Sequence, residues 1–406
     1  MILPFSGFEA ISREVSGKTL ELVFLTRLSA LRIVIGKWAS IVTLTFLSGT
    51  AVLPYVVLRY FTGGIDLWED LKTLAWILAI SMVLTAGSVG VSAFPAKIAR
   101  SLLLIAFPIV GYQIVVEMMS LTDLKYLAPP VTMTSSLALL ASFYAFLGTL
   151  FMFEIGASRI APPAENHSTA IRLIGVAIFI STLLAVFVGV DALTACGLSL
   201  LLLFPMCIGL LCESIKPMPS VYRPFVRRGI PGRFVGVFLY PGWPSGVALS
   251  IVFVVGTVAG YWNPVYKEFL SESASDQVII ALFLGAAVLP FGLIRVFLPR
   301  VRKVFVTYIF FQALSIVPFC IYYLAQAFDA KIDILLSFFP LSLFIALTLE
   351  DKERSELLAR GVETHIALTL CAVCLLFLLF SAANSYRQIR ALEKEAGESL
   401  AKASGS

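Results

Sequence analysis

Residues 38–61 read WASIVTLTFLSGTAVLPYVVLRYF, and Arg59 is the one charged side chain in the run. A helix needs about 20 mostly apolar residues to cross the hydrocarbon core of a bilayer, and this stretch exceeds that length without a break. Further runs of the same kind follow. On that criterion the chain holds about eleven expected spans: 38–61, 70–94, 101–119, 131–155, 171–190, 192–212, 243–262, 277–298, 304–326, 332–349 and 365–383. Composition agrees. The 406 residues are 59% hydrophobic and 14% charged, with mean hydropathy +0.95, against about 25% charged in an average soluble domain. Disorder requires low hydrophobicity and high net charge, the reverse of this chain. Six cysteines are too sparse for a disulfide scaffold. Unbroken apolar runs also exclude an outer-membrane barrel, whose strands alternate over about 10 residues. The expected fold class is all-α, a polytopic membrane bundle.

Basic residues set the expected orientation. With the N-terminus inside, 21 of the 30 Lys and Arg fall in inner loops, including Arg223, Arg227, Arg228 and Arg233 in the Pro- and Gly-rich gap 213–242. Outer loops carry Asp66, Glu69, Asp70, Asp123, Glu268, Glu272 and Asp276. The C-terminal tail, with Arg387 and Arg390, is the region that fits the outer side poorly. The net charge of +5 reflects these loops and is no sign of nucleic-acid binding.

Inside the spans, Pro54, Pro108, Pro205, Pro290, Pro318 and Pro340 each remove a backbone donor and can kink a helix. Gly242, Gly246, Gly256 and Gly260 form two GxxxG pairs, which read as close helix packing. Ionisable groups are few: Glu117, Glu154, Asp191 and Arg295 sit near helix ends, where they can reach the interface. Tyr112 and Gln113 are the most central polar pair.

Several motifs imitate chemistry without completing it. Gly17-Lys18-Thr19 resembles the end of a phosphate loop, but Ser12 stands where its first Gly belongs. His167 and His365 are far apart and lack local co-ligands for a metal. Cys371 and Cys374 form C-x-x-C in an apolar helix, where a thiolate is disfavoured. Asp66, Glu69 and Asp70 form one acidic cluster without a second to share Mg²⁺ and a diphosphate. No catalytic residue, metal site or cofactor is expected in this chain.

The N-terminal stretch is the most informative. Phe8, Ile11, Val15, Thr19 and Leu22 fall near one helical face, with Arg13, Glu14, Lys18 and Glu21 on a charged one. That is the pattern of an amphipathic interfacial helix. Ser29 is placed to cap the helix that carries on through Gly36, Lys37 and Trp38 into the first span.

Ser12-Arg13-Glu14, Thr19-Leu20-Glu21-Leu22, Thr26, Leu28-Ser29 and Ile33 to Lys37 together resemble the permease subunits of type-2 ABC transporters. Leu53-Pro54-Tyr55 and Gly63-Gly64 extend the similarity, which covers 9–155 and fades beyond. The family's glycine directly precedes the threonine, whereas Lys18 intervenes here; the family also has two spans before this segment, where this chain has only Met1–Phe8, so a shortened N-terminus is expected. The resemblance implies a coupling segment at 1–37 and a four-helix membrane portion at 38–155. A second membrane portion of about seven helices at 156–383 and a polar tail at 384–406 complete the expected organisation. It also implies docking on a separate cytoplasmic ABC ATPase through Arg13, Glu14, Gly17, Lys18, Thr19, Glu21 and Arg27, with ATP and Mg on that partner. The expectation is an exporter permease in the inner cell membrane with its N-terminus in the cytoplasm. Its other partners would be membrane lipids and a second permease copy or paralogue. An ion-coupled secondary transporter would call for mid-membrane charges and inverted repeats. A membrane-embedded transferase acting on a lipid-linked substrate would call for convergent carboxylates or histidines.

Overall fold

The computed structural model describes residues 6–17, 28–63, 67–94, 135–162, 165–188, 190, 192–215, 218–261, 274–298, 301, 303–326, 336, 338–349 and 362–404. Among these, every regular element is helical. The helices are α1 (Ser12–Ser16), α2 (Ala30–Phe61), α3 (Leu67–Ser92), α4 (Ser135–Ile160), α5 (Ser168–Phe187), α6 (Ala192–Leu211), α7 (Arg223–Val226), α8 (Gly229–Leu239), α9 (Trp243–Tyr261), α10 (Ala274–Phe297), α11 (Val304–Gln326), α12 (Pro340–Leu349) and α13 (Val362–Ser404). The chain divides into two compact units, Met1–Leu203 and Phe204–Ser406.

Among the described residues six helices are long and apolar enough to cross a membrane, or seven if the bent pair α8–α9 is one span. The protein is therefore read as a helical integral membrane protein. Eleven spans are not found among the described residues. Span 101–119 lies outside them, and α6 and α10 hold the shorter apolar stretches Ala195–Leu211 and Ala281–Phe297. The described helix within 332–349 has only ten residues, about 15 Å at 1.5 Å per residue, half of a ~30 Å hydrocarbon core.

In the first unit α2 begins where Ser29 leaves the extended conformation (φ −69°, ψ 150°). Ser29 holds the N-cap place and its carbonyl accepts the Ile33 N–H (3.3 Å), but its side chain makes no capping bond. α3 and α4 approach closely because both present glycine. A Cβ on Gly90 would lie 2.6 Å from the Met152 carbonyl oxygen, and one on Gly156 would lie 3.3 Å from the Gly90 Cα. Trp38 donates its indole N–H to the Met82 carbonyl (3.0 Å) and meets Phe153 edge-on. Tyr144 and Thr182 join α4 to α5 through their hydroxyls, 2.6 Å apart. Leu44, Leu47, Tyr55, Leu58 and Phe61 of α2 point outward and exposed, an arrangement suited to lipid and unsuited to water.

In the second unit α10 packs along α13. Gly285 and Gly292 face Cys371 and Cys374, and a Cβ would stand 2.4 Å from the Cys371 sulfur or 2.8 Å from the Cys374 carbonyl oxygen. Both cysteines are buried and free, so the C-x-x-C pair serves as small residues at a tight contact. Arg295 does not reach for an interface. It donates to the Leu211 carbonyl (3.2 Å) and lies 4.3 Å over the Trp243 ring, a cation at the C-terminus of α6. Near Pro318, the Ser342 hydroxyl of α12 enters the backbone ladder of α11. Phe319 N–H donates to it (3.2 Å), and it donates to the Ser315 carbonyl. Such insertion is a recognised cause of helix bending and satisfies backbone groups where lipid offers no substitute.

One glycine expectation is refined. Gly242 precedes α9 and has φ +128°, so it makes the elbow after α8, and a Cβ there would lie 3.1 Å from Ile215 Cγ1. Gly246 is a packing residue: a Cβ would lie 2.7 Å from the Leu210 carbonyl oxygen. Gly256 is half-buried in α9; the surroundings of Gly260, near the end of the same helix, lie outside the described residues.

The polar C-terminal stretch continues the last helix. α13 runs 43 residues without interruption, about 64 Å, twice what a bilayer core requires. Its last turns pack on the basic segment: Ile389 and Ala396 are buried with Tyr222, Phe225 and Tyr240. Arg233 pairs with Glu393 (3.1 Å) and Arg223 donates to Ser399 (3.2 Å). The tail thus packs on the basic segment, the association that its Arg387 and Arg390 favoured over the outer side.

Candidate functional site

The expected docking segment is described from Ser6 to Gly17. Gly7–Glu9 forms a single 3₁₀ turn and Ser12–Ser16 the five-residue α1. A helix that short has no stability of its own in water, so packing must hold it. Phe8 and Ile11 are buried, Ile11 completely, and full burial of such a side chain stabilises by about 1.5–3 kcal/mol. Ile11 joins a core of Ala30, Val34, Ala86, Val89, Phe153 and Ala157 from α2, α3 and α4. Its N–H donates to Ser92 Oγ (3.3 Å). Gly7 fits because it has no Cβ, which would stand 2.2 Å from Ser88 Oγ. The apolar face expected to lie in headgroups is therefore turned into the protein, while Val15 is exposed at 42%.

Charge fixes the other face. Arg13 pairs with Glu9 one turn earlier, with both side chains mostly exposed, so the pair contributes little to stability. Glu14 pairs with Lys37 at the start of the first span, and this bridge is only partly exposed. It ties the segment to α2 within a single ion pair. Gly17 is exposed in the turn that ends α1. Lys18, Thr19, Glu21 and Arg27 lie outside the described residues.

At the same end of the unit, where α3 and α4 finish and α5 begins, a second charged cluster joins α4 to α5. His167, the N-cap residue of α5, stands between two carboxylates, with Nδ1 2.7 Å from Glu154 Oε2 and Nε2 3.0 Å from Glu165 Oε2. An imidazolium can donate from both nitrogens. The Glu154 hydrogen bond raises the His167 pKa above its usual value; burial opposes this and Glu165 adds to it. Arg172, fully buried a turn further, donates from Nε to Ser168 Oγ (3.2 Å), and Arg159 covers the Phe94 ring at 4.5 Å.

Among the described residues no group of His, Cys, Asp and Glu could hold a metal ion. Phe8 and Ile11 are buried, Ile11 in the core of α2, α3 and α4, and Glu14 pairs the N-terminal segment with the first span. Sequence reading placed Glu14 on the docking surface; the structure uses it inward, toward Lys37. It missed the Lys37 partnership, and it weighed His167 only as a metal ligand without local co-ligands, so its bridge between Glu154 and Glu165 went unseen. The i,i+2 pair Glu165/His167, just ahead of a capped helix, was the signal available. No known protein family, characterised protein or solved structure matches the chain.

Proposed function

We propose that this chain is the membrane-spanning permease subunit of an ATP-driven type-2 ABC exporter, receiving force from a separate ATPase through its N-terminal segment. The observation that carries the reading is the seating of 6–17. A chain that takes work from outside needs a surface joined stiffly to a span. The buried Ile11 and the Glu14–Lys37 bridge supply that joint, and Arg13 presents an exposed charge above it. The motif resemblance at Ser12-Arg13-Glu14 and beyond supports the family reading. An ion-driven carrier is less well supported, since the Glu154–His167–Glu165 cluster sits at helix ends rather than mid-membrane.

The test separates docking from bracing. Arg13→Glu should weaken co-purification of the ATPase and its stimulated hydrolysis, while thermal stability stays unchanged. Glu14→Lys should uncouple transport from hydrolysis with the ATPase still bound, and the exchange Glu14→Lys/Lys37→Glu should restore coupling. Wild-type recovery and coupling in both single variants would refute the proposal.

A further inference from the structure

Helix α8 meets α9 at 85°. A helix turned that far from one crossing the membrane runs along the surface. α8 has eleven residues, about 16 Å, and its two faces differ. Inward it offers glycine: a Cβ on Gly232 would stand 2.2 Å from the Phe225 carbonyl oxygen, and one on Gly236 would stand 2.3 Å from the Tyr240 ring. That smoothness lets the helix lie flat on the Tyr222–Phe225–Tyr240 core. Outward it offers apolar bulk, with Ile230 84% and Phe234 69% exposed. Four arginines accompany it and no Asp or Glu occurs between Glu213 and Glu268. Arg223 and Arg233 are engaged by Ser399 and Glu393 of α13. Arg227 and Arg228, exposed at the N-terminal approach, have no ion pair with any described residue.

We propose that α8 is an interfacial helix that seats on the anionic lipid headgroups of its own leaflet. Arg227 and Arg228 meet phosphates, while Ile230 and Phe234 enter the boundary between headgroups and acyl chains. Such helices bury their apolar face about 5–10 Å deep and gain affinity from anionic lipid. The charge fits: the two arginines that α13 leaves open flank the apolar face, and the two it engages are those needed to hold the segment in place. The inference rests on α9 crossing the membrane and is independent of any ATPase.

The experiment places a nitroxide at Phe234→Cys in the full chain, with the six native cysteines replaced by alanine or serine. The protein is reconstituted into vesicles of phosphatidylcholine alone or with one quarter phosphatidylglycerol. Collisions with oxygen and with a water-soluble nickel chelate report depth. The expected result is frequent oxygen and rare chelate collision, deeper with phosphatidylglycerol, and loss of that difference in Arg227→Glu/Arg228→Glu. Free access for the chelate in both vesicles would overturn the proposal. So would exclusion of both reagents, which would mark a second copy or another protein on this face. A depth indifferent both to phosphatidylglycerol and to charge reversal would overturn it as well.

Discussion

Truncating Ile11 to alanine should release the N-terminal segment without unfolding the helices beneath it. Ile11 is completely buried against α2, α3 and α4. Ile11→Ala removes three carbons, worth about 0.8 kcal/mol each in transfer from water. A partly relaxed cavity brings the loss to about 3 kcal/mol, within the roughly 2–5 kcal/mol seen for such truncations. At about 1.4 kcal/mol per factor of ten, the seated-to-released ratio should fall roughly 100-fold. Three amides report it directly: Glu14 and Val15 donate to the Ile11 carbonyl and Gly17 to that of Arg13 (2.9–3.0 Å). Hydrogen exchange in lipid nanodiscs should show their protection collapse while α2 and α3 keep theirs, as expected of a local opening. Val15→Ala, at a site 42% exposed, serves as the control and should change protection little. A loss below about threefold in Ile11→Ala, against the roughly 2–5 kcal/mol of the burial argument, would refute the reasoning. So would a loss spread evenly over α2 and α3.

The His167 cluster predicts a pH effect. Its folded pKa is raised, so its contribution is fully present below the unfolded value near 6.5 and is lost as pH rises through the folded value. Thermal unfolding should therefore show a wild-type advantage over His167→Gln at pH 6 that shrinks by pH 9; a constant gap would remove the charged bridge. Gly246→Leu should lower the unfolding midpoint strongly, because overpacking costs about 1–3 kcal/mol or more where the neighbour is backbone at 2.7 Å; Gly209→Leu, where a Cβ would meet nothing within 4 Å, should do much less, and equal effects would contradict the packing assignment. For topology, cysteines at Arg227 and Lys394 should behave alike toward an impermeant reagent in intact cells and opposite to one at Thr62. Opposite labelling of Arg227 and Lys394 would break the association of α13 with the basic segment.

Much of this architecture was readable because it is local. Apolar run length announces α2, α3, α4, α5 and α11, and the i, i+3 spacing of Phe8 and Ile11 announces a buried face. The remainder depends on pairings that sequence separation conceals. Pro241-Gly242 is a turn-favouring pair, yet the GxxxG spacing masks the elbow, which shows in the glycine's φ of +128°. Ser342 looks like an ordinary polar residue in an apolar run, yet it occupies the α11 ladder 23 residues from its partner Phe319. Composition measures hydrophobicity and not helix length, so it could not show that the described helix within 332–349 has ten residues. Glu14 illustrates the point for the site: a surface carboxylate on an amphipathic segment reads as a docking charge until Lys37, 23 residues later, is found beside it.

The central claim, that 6–17 is a coupling element for a separate ATPase, is tested most directly by a photo-crosslinking amino acid at Arg13 in intact cells. The account predicts a covalent adduct with a polypeptide that carries a complete phosphate loop and hydrolyses Mg-ATP in the purified complex, and loss of that adduct in Ile11→Ala. Adducts with lipid alone, unchanged by Ile11→Ala, would contradict it.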